Sequence, residues 1–114
     1  MGLLLSPYDK VTDVNYSLIA LASVDSSGNW KSSQTGFEGL PARDSAGVYD
    51  MTLSGSMSNA EFVPVVTIIG AGTAVTCEAE LLPDEVTVRV TLYDAHSPNS
   101  PIDSAFSILI WRVS

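Results

Sequence analysis

"VTVRVTLYD", residues 86–94, is the stretch that decides the fold of this chain. Successive side chains of a β-strand point to opposite faces. Here Val86, Val88, Val90 and Leu92 fall on one face, and Thr87, Arg89, Thr91 and Tyr93 on the other. That alternation marks a strand buried on one side and wetted on the other. Working outward, "GVYDMTLSG" (47–55) repeats it, with Tyr49, Met51 and Leu53 opposed to Asp50, Thr52 and Ser54. "NYSLIALASV" (15–24) reads as the first strand and "DSSGN" (25–29) as a strong turn, with "WKSSQTGF" (30–37) returning as a hairpin partner. "EGLPARDSAG" (38–47) reads as a connection with a short strand-like piece near Leu40, and "SMSNAE" (56–61) as a loop. "TCEAELL" (76–82) is a further strand, "PDE" (83–85) a tight turn and "AHSPNSP" (95–101) a polar loop. Apolar residues do not recur at helical spacing over any useful length. Short β-rich runs punctuated by turns predict an all-β chain, a single-domain antiparallel β-sandwich or jelly roll of about seven to eight strands. The domain spans residues 16–114, behind a short N-terminal arm, residues 1–15.

Two strands break the one-face rule. "FVPVVTIIG" (62–70) is apolar on both faces, and its Pro64 confines it to an edge, a bulge or a strand start. "AFSILIWRV" (105–113) puts Phe106, Ile108 and Ile110 on one face and Leu109, Trp111 and Val113 on the other. A strand of a two-sheet sandwich has one inner face, so a second apolar row asks for a cover. Loops or the arm of the same chain are one answer. A neighbouring subunit is the other, since aromatic residues favour interface cores. The second answer makes Leu109, Trp111, Val113, Val63 and Val65 a subunit interface. The arm raises the same question, because "MGLLLSPY" is too short to fold alone yet contains Leu3, Leu4, Leu5 and Tyr8. Disordered tails are poor in such residues.

Composition narrows the function classes. The 114 residues are 46% hydrophobic, enough for a core without metals or disulfides, and Cys77 is the only cysteine. Thirteen acidic against five basic residues give a net charge of −8. Lys10, Lys31, Arg43, Arg89 and Arg112 are scattered, so neither nucleic acid nor an anionic membrane is an expected partner. The short apolar run at Leu3–Leu5 is no signal peptide, and no apolar stretch reaches membrane-spanning length; the expectation is a soluble protein. "MGLLLS" and "NYS" match the weak myristoylation and glycosylation patterns.

Catalytic and metal chemistry find little support. His96 is the only histidine, and Asp94, His96 and Ser97 or Ser100 are too close in one loop to form a working triad. Cys77 lies mid-strand with no neighbouring cation to activate it. Glu78 and Glu80 share a strand face, and Asp94, Asn99 and Asp103 bracket one loop without the spacing of a calcium site. No catalytic residue, cofactor or metal is assigned, and the reading is of a protein that is not an enzyme.

"SAGVYDMTLSGSMSNAEFVPVVTI" and "VTVRVTLYDAHSPNSPIDSAFSILIW" together resemble a pattern in bacteriophage virion proteins. It runs from a G-x-Y-x-x-x-L strand through a loop near a Met-Ser pair to an apolar x-V-T strand, then to an Asp-x-x-Phe closing segment. The likeness spans roughly residues 16–113, with Gly47, Tyr49, Asp103 and Phe106 as anchors. Such modules are β-sandwich knobs, commonly trimeric, reminiscent of C1q- and tumour-necrosis-factor-like heads. The resemblance implies a phage virion structural protein: a capsid decoration or cement protein on the outer surface of the shell, bound to the major capsid protein or other virion proteins. The alternative it implies is a receptor- or glycan-binding module of a tail or head fibre, with Tyr93, His96 and Asn99 as its binding loop. Only about fifteen residues precede the domain, too few for a fibre shaft. The first reading is therefore preferred, with the apolar strands forming a homotrimer and the arm (Leu3, Leu4, Leu5, Tyr8) reaching the shell.

Overall fold

The computed structural model describes residues 15–70 and 73–113. The arm residues Leu3, Leu4, Leu5 and Tyr8 lie outside them. Eight strands follow in order: β1 (Tyr16–Val24), β2 (Phe37–Ser45), β3 (Val48–Leu53), β4 (Phe62–Ile69), β5 (Val75–Leu81), β6 (Thr87–Asp94), β7 (Ser97–Pro101) and β8 (Ala105–Val113). They form two antiparallel sheets packed as a sandwich, one with the order β1-β8-β4 and one with the order β2-β3-β6-β5, to which β7 adds by pairing with β6. The alternating stretches behave as read. Val88, Val90 and Leu92 of β6, Tyr49, Met51 and Leu53 of β3, and Phe106, Ile108 and Ile110 of β8 interdigitate in the core, each at most 2% exposed. Ala20, Ala22 and Val24 of β1 complete it from the three-stranded side.

Three local expectations need correction. Residues 37–45 are a full strand rather than a connection, although Gly39 and Pro41 interrupt the alternation. The strand survives because β2 is an edge and its register shifts between Glu38 and Ala42, where a proline removes no ladder bond. Residues 30–37 make no hairpin strand; they touch β1 through two isolated bridges, Val24 to Trp30 and Leu21 to Thr35. The polar loop 95–101 contains β7, which takes over pairing with β6 beyond the end of β3. The turn at 25–29 forms as expected, with the Asp25 carboxylate accepting the N–H groups of Ser27 and Asn29. Pro64 is accommodated because β4 is an edge strand.

A bulge in β1 bears directly on the surface. Leu18 lies opposite Trp111 and Ala20 opposite Ile110, so Ile19 is an extra residue in the ladder. Beyond it Ala20, Ala22 and Val24 point inward; before it Tyr16 and Leu18 are turned outward. Gly36 makes room for the bulge: a Cβ there would stand 2.0 Å from the Ile19 carbonyl oxygen, and its φ is +85°.

The end of the sandwich at the entry to β8 is closed by one carboxylate. Asp103 Oδ1 accepts the Gly47 N–H at 2.8 Å and lies 3.1 Å from the Tyr49 hydroxyl, while Oδ2 pairs with the Arg43 guanidinium at 2.8 Å. Tyr49 shares its hydroxyl proton with the Ser26 carbonyl oxygen at 2.7 Å, and its ring meets Phe106 edge-on at 5.2 Å. Gly47 has φ +71°, and a Cβ there would stand 2.6 Å from the Leu92 carbonyl oxygen. Gly47, Tyr49, Asp103 and Phe106, dispersed in sequence, thus meet in one cluster.

The cluster titrates at both ends of the pH range. Arg43 foremost, with the Gly47 and Tyr49 hydrogen bonds, holds the Asp103 carboxyl below its ordinary 3.8. Folding therefore favours the ionised form, and that contribution is complete above the ordinary value and lost as pH falls through the lowered one. Burial, then the negative Asp103 beside it, pushes the Tyr49 phenol from 10.0 up to about 12. Folding favours the neutral phenol, and that contribution is complete below 10 and lost as pH rises towards about 12. Urea titrations should show stability falling on both limbs; Tyr49→Phe should flatten the alkaline limb and only reduce the acid one, which Arg43 dominates. Asp103→Asn should lower stability by about 1 kcal/mol, less than a buried charged hydrogen bond contributes because the carboxylate is a third exposed. Gly36→Ala should lower it by about 3 kcal/mol or more, since backbone must move and φ is unfavourable.

Candidate functional site

The outer face of the three-stranded sheet gathers the residues expected at an interface. β8 is its central strand, and the register sets three apolar rows across it: Tyr16 beside Val113, then Leu18–Trp111–Val63, then Leu21–Leu109–Val65. A fourth row, Ser23–Ser107–Thr67, ends the apolar patch in hydroxyls. No charged side chain interrupts these rows. Tyr16 is 56% exposed, Val65 44%, Leu18 42%, Leu21 38% and Leu109 36%, while Trp111, Val113 and Val63 are half-buried. A shallow hollow of about 270 Å³ opens between Tyr16, Val63 and Trp111. That is smaller than the usual small-molecule pocket of about 300–1,000 Å³, and it suits one or two apolar side chains.

All five residues expected from the second faces of the two strands, Leu109, Trp111, Val113, Val63 and Val65, therefore lie together. Tyr16, Leu18 and Leu21 were not among them. Strict alternation back from Ala20 would have sent Tyr16 and Leu18 inward, and the bulge at Ile19 reverses them. The sequence signal was the paired bulky residues at 16 and 18 followed by small ones at 20 and 22 on the same parity.

The opposite face of the molecule is polar. Glu38, Asp44, Asp50, Glu78 and Glu80 stand on the outer side of the five-stranded sheet, where Arg89 bridges Asp50 at 2.8 Å and Asp44 at 3.2 Å. These acidic neighbours, Asp50 first, raise the Arg89 guanidinium further above its already high value. At one end of the core, Arg112 donates to the Ser56 carbonyl oxygen at 3.3 Å and lies 3.8 Å from Glu61.

The other candidates lie off this face. Tyr93 is half-buried on β6, opposite Pro101, and His96 is exposed in the two-residue turn joining β6 to β7. Residues 98–100 loop out of the ladder between Ser97 and Pro101; the Asn99 side chain lies outside the described set. The Asp94 carboxylate accepts the backbone N–H of His96 at 2.9 Å, so it serves the turn. Asp103 is committed to Arg43, Gly47 and Tyr49. Among the described residues no group of three or more His, Cys, Asp or Glu side chains is placed to hold a metal ion. Cys77 is half-buried against the core edge, and burial raises its thiol pKa, the direction opposite to activation. Among the described residues no helix is long and apolar enough to cross a membrane.

No family model, no curated protein and no solved structure matches the chain.

The face makes its own prediction. Leu109→Asp and Val65→Asp alter exposed side chains and should shift the unfolding free energy of the isolated domain by only about 0.5 kcal/mol. Ile108→Ala, one position along on the core side, should cost about 2–5 kcal/mol. Chemical denaturation of the three variants checks the contrast.

Proposed function

We propose that this chain is a structural protein of a bacteriophage virion, a capsid decoration or cement protein that assembles as a trimer. The observation that carries the assembly part is the uncharged apolar face formed by Tyr16, Leu18, Leu21, Val63, Val65, Leu109, Trp111 and Val113. Exposed apolar surface of this continuity, rimmed by hydroxyls, marks protein–protein contact in soluble domains, and Trp and Tyr are the residues most enriched in interface cores. The virion setting rests on the resemblance through Gly47, Tyr49, Asp103 and Phe106, and their meeting in one cluster gives that pattern a folding role.

The work of such a protein is mechanical. Each copy bound across a joint between capsomers favours the assembled shell by mass action, in proportion to the logarithm of occupancy. The acidic sheet faces solvent and the apolar sheet faces a neighbouring copy.

Two measurements test the reading. Trp111→Ala should weaken self-association at least tenfold in sedimentation equilibrium while the subunit remains folded; equal loss of association and fold would return Trp111 to a purely structural role. Phage particles assembled without the protein should release their genome at lower temperature and lower osmotic stress than complete ones, with resistance restored by adding the purified protein back. Unchanged resistance would overturn the cementing role.

A further inference from the structure

One large apolar side chain is exposed away from the three-stranded sheet. Among the described residues the exposed large hydrophobics are Tyr16, Leu18, Leu21, Val65 and Leu109, all on its outer face, and Leu40, on the rim strand β2 of the other sheet. At 83%, Leu40 is the most exposed of the six.

The backbone is built to hold it out. Residues 39–41 bulge from the ladder between the pairs Glu38–Thr52 and Ala42–Asp50. Gly39 has φ +67°, and a Cβ on it would meet nothing within 4 Å, so the bulge juts into open space. From behind it is braced. Phe37 and Pro41 are buried, and Trp30 Nε1 donates to the Gly39 carbonyl oxygen at 3.0 Å while its ring lies 5.5 Å from that of Phe37. A leucine carried on braced backbone gives up only its own side-chain freedom on docking.

The hollow of about 270 Å³ between Tyr16, Val63 and Trp111 is the concave counterpart, with room for one or two apolar side chains. Interface hot spots take this form, an anchor side chain in a pocket. Charge agrees with the match. Residues 39–42, "GLPA", are uncharged, as are the three rows around the hollow, so joining them strips water from no ion. The outer side of the five-stranded sheet would instead press Asp50, Glu78 and Glu80 against apolar surface, at a desolvation cost.

Symmetry and distance decide whose hollow is filled. A ring of three is built head-to-tail, so each copy gives one surface and receives on a different one. The apolar face must then meet some other part of the next copy. Leu40 cannot reach the hollow of its own chain. Trp30, which holds its bulge, is bridged to Val24, and β1 runs about 25 Å from there to Tyr16.

We infer that Leu40 of each copy seats in the Tyr16–Val63–Trp111 hollow of the next, as the anchor of a head-to-tail contact between the β2 rim and the outer face of the three-stranded sheet. This rests on the assembly reading of that face and names the surface that meets it.

Two full-length chains test it, each carrying Cys77→Ala. One also carries Leu40→Cys and the other Val63→Cys. Mixed, exchanged and mildly oxidised, they should give a disulfide-linked pair at twice 12.1 kDa on a denaturing gel, and one chain carrying both cysteines should give linked multiples. Leu40→Asp, in otherwise unsubstituted protein, should weaken self-association at least tenfold in sedimentation equilibrium and leave the urea midpoint unchanged. The inference needs both results. If the protein is oligomeric and either the Leu40→Cys chain fails to link to cysteine at both 16 and 63, or Leu40→Asp leaves association unchanged, another surface meets the face; the inference falls and the assembly reading stands. Val63→Cys chains that link to one another instead would show two faces packed together, which also overturns it. If the unsubstituted protein has a native mass of 12.1 kDa at every concentration, both readings fall.

Discussion

The Asp103 carboxylate, set just ahead of β8, holds Gly47, Tyr49 and Arg43 of the β2–β3 hairpin. It joins the two sheets at the point where the chain enters the three-stranded one. β8 is the central strand of that sheet, and β1 and β4 take their register from it. Fixing the entry to β8 thus fixes which side chains of the whole sheet face inward. Because register in a strand is all or nothing, a slip of one residue would exchange Phe106, Ile108 and Ile110 for Leu109, Trp111 and Val113. The two rows are similar in apolar content, so hydrophobic pattern alone separates them weakly. The polar lock at Asp103 and the edge-on contact of Tyr49 with Phe106 supply the missing discrimination.

The same weakness explains what could and could not be read from the amino acids. Where a strand pairs apolar with polar faces, as in β3 and β6, its orientation was legible and the core residues followed. In β8 the presence of two apolar faces was legible, and the assignment of Phe106, Ile108 and Ile110 to the core is met by their complete burial. β1 was only half legible: bulky residues at 16 and 18 ahead of small ones at 20 and 22 signal a change of face, but the room for an extra residue at Ile19 is made by Gly36, outside the strand. β2 and β7 were hidden by Gly39, Pro41, Pro98 and Pro101, residues that discourage strands in general and are tolerated where pairing is one-sided. Of the binding-loop residues, Tyr93 is placed on β6 and His96 in the turn to β7, and the Asn99 side chain lies outside the described set.

The three-stranded sheet is also short of partners at its sides. β1 and β4 are both edges. Pro64 lacks an N–H on one, and the bridges to Trp30 and Thr35 cover part of the other. Such devices suppress edge-to-edge pairing. On the proposed assembly, contact is thereby directed away from the rims and onto the face, where it runs through side chains and composition can be selective.

The distribution of charge between the two sheets has a consequence at the scale of many copies. Carboxylates crowd the outer side of the five-stranded sheet, and the three-stranded sheet has none on its own outer side. Any surface coated with assemblies that bury the apolar side between copies would display the acidic side to the medium, and each added copy would bring part of its net charge of −8. Coated objects would then repel one another through the electrical double layer, with a range set by ionic strength, about 8 Å at physiological salt. Colloidal dispersal of whole particles would follow from the orientation of one small domain.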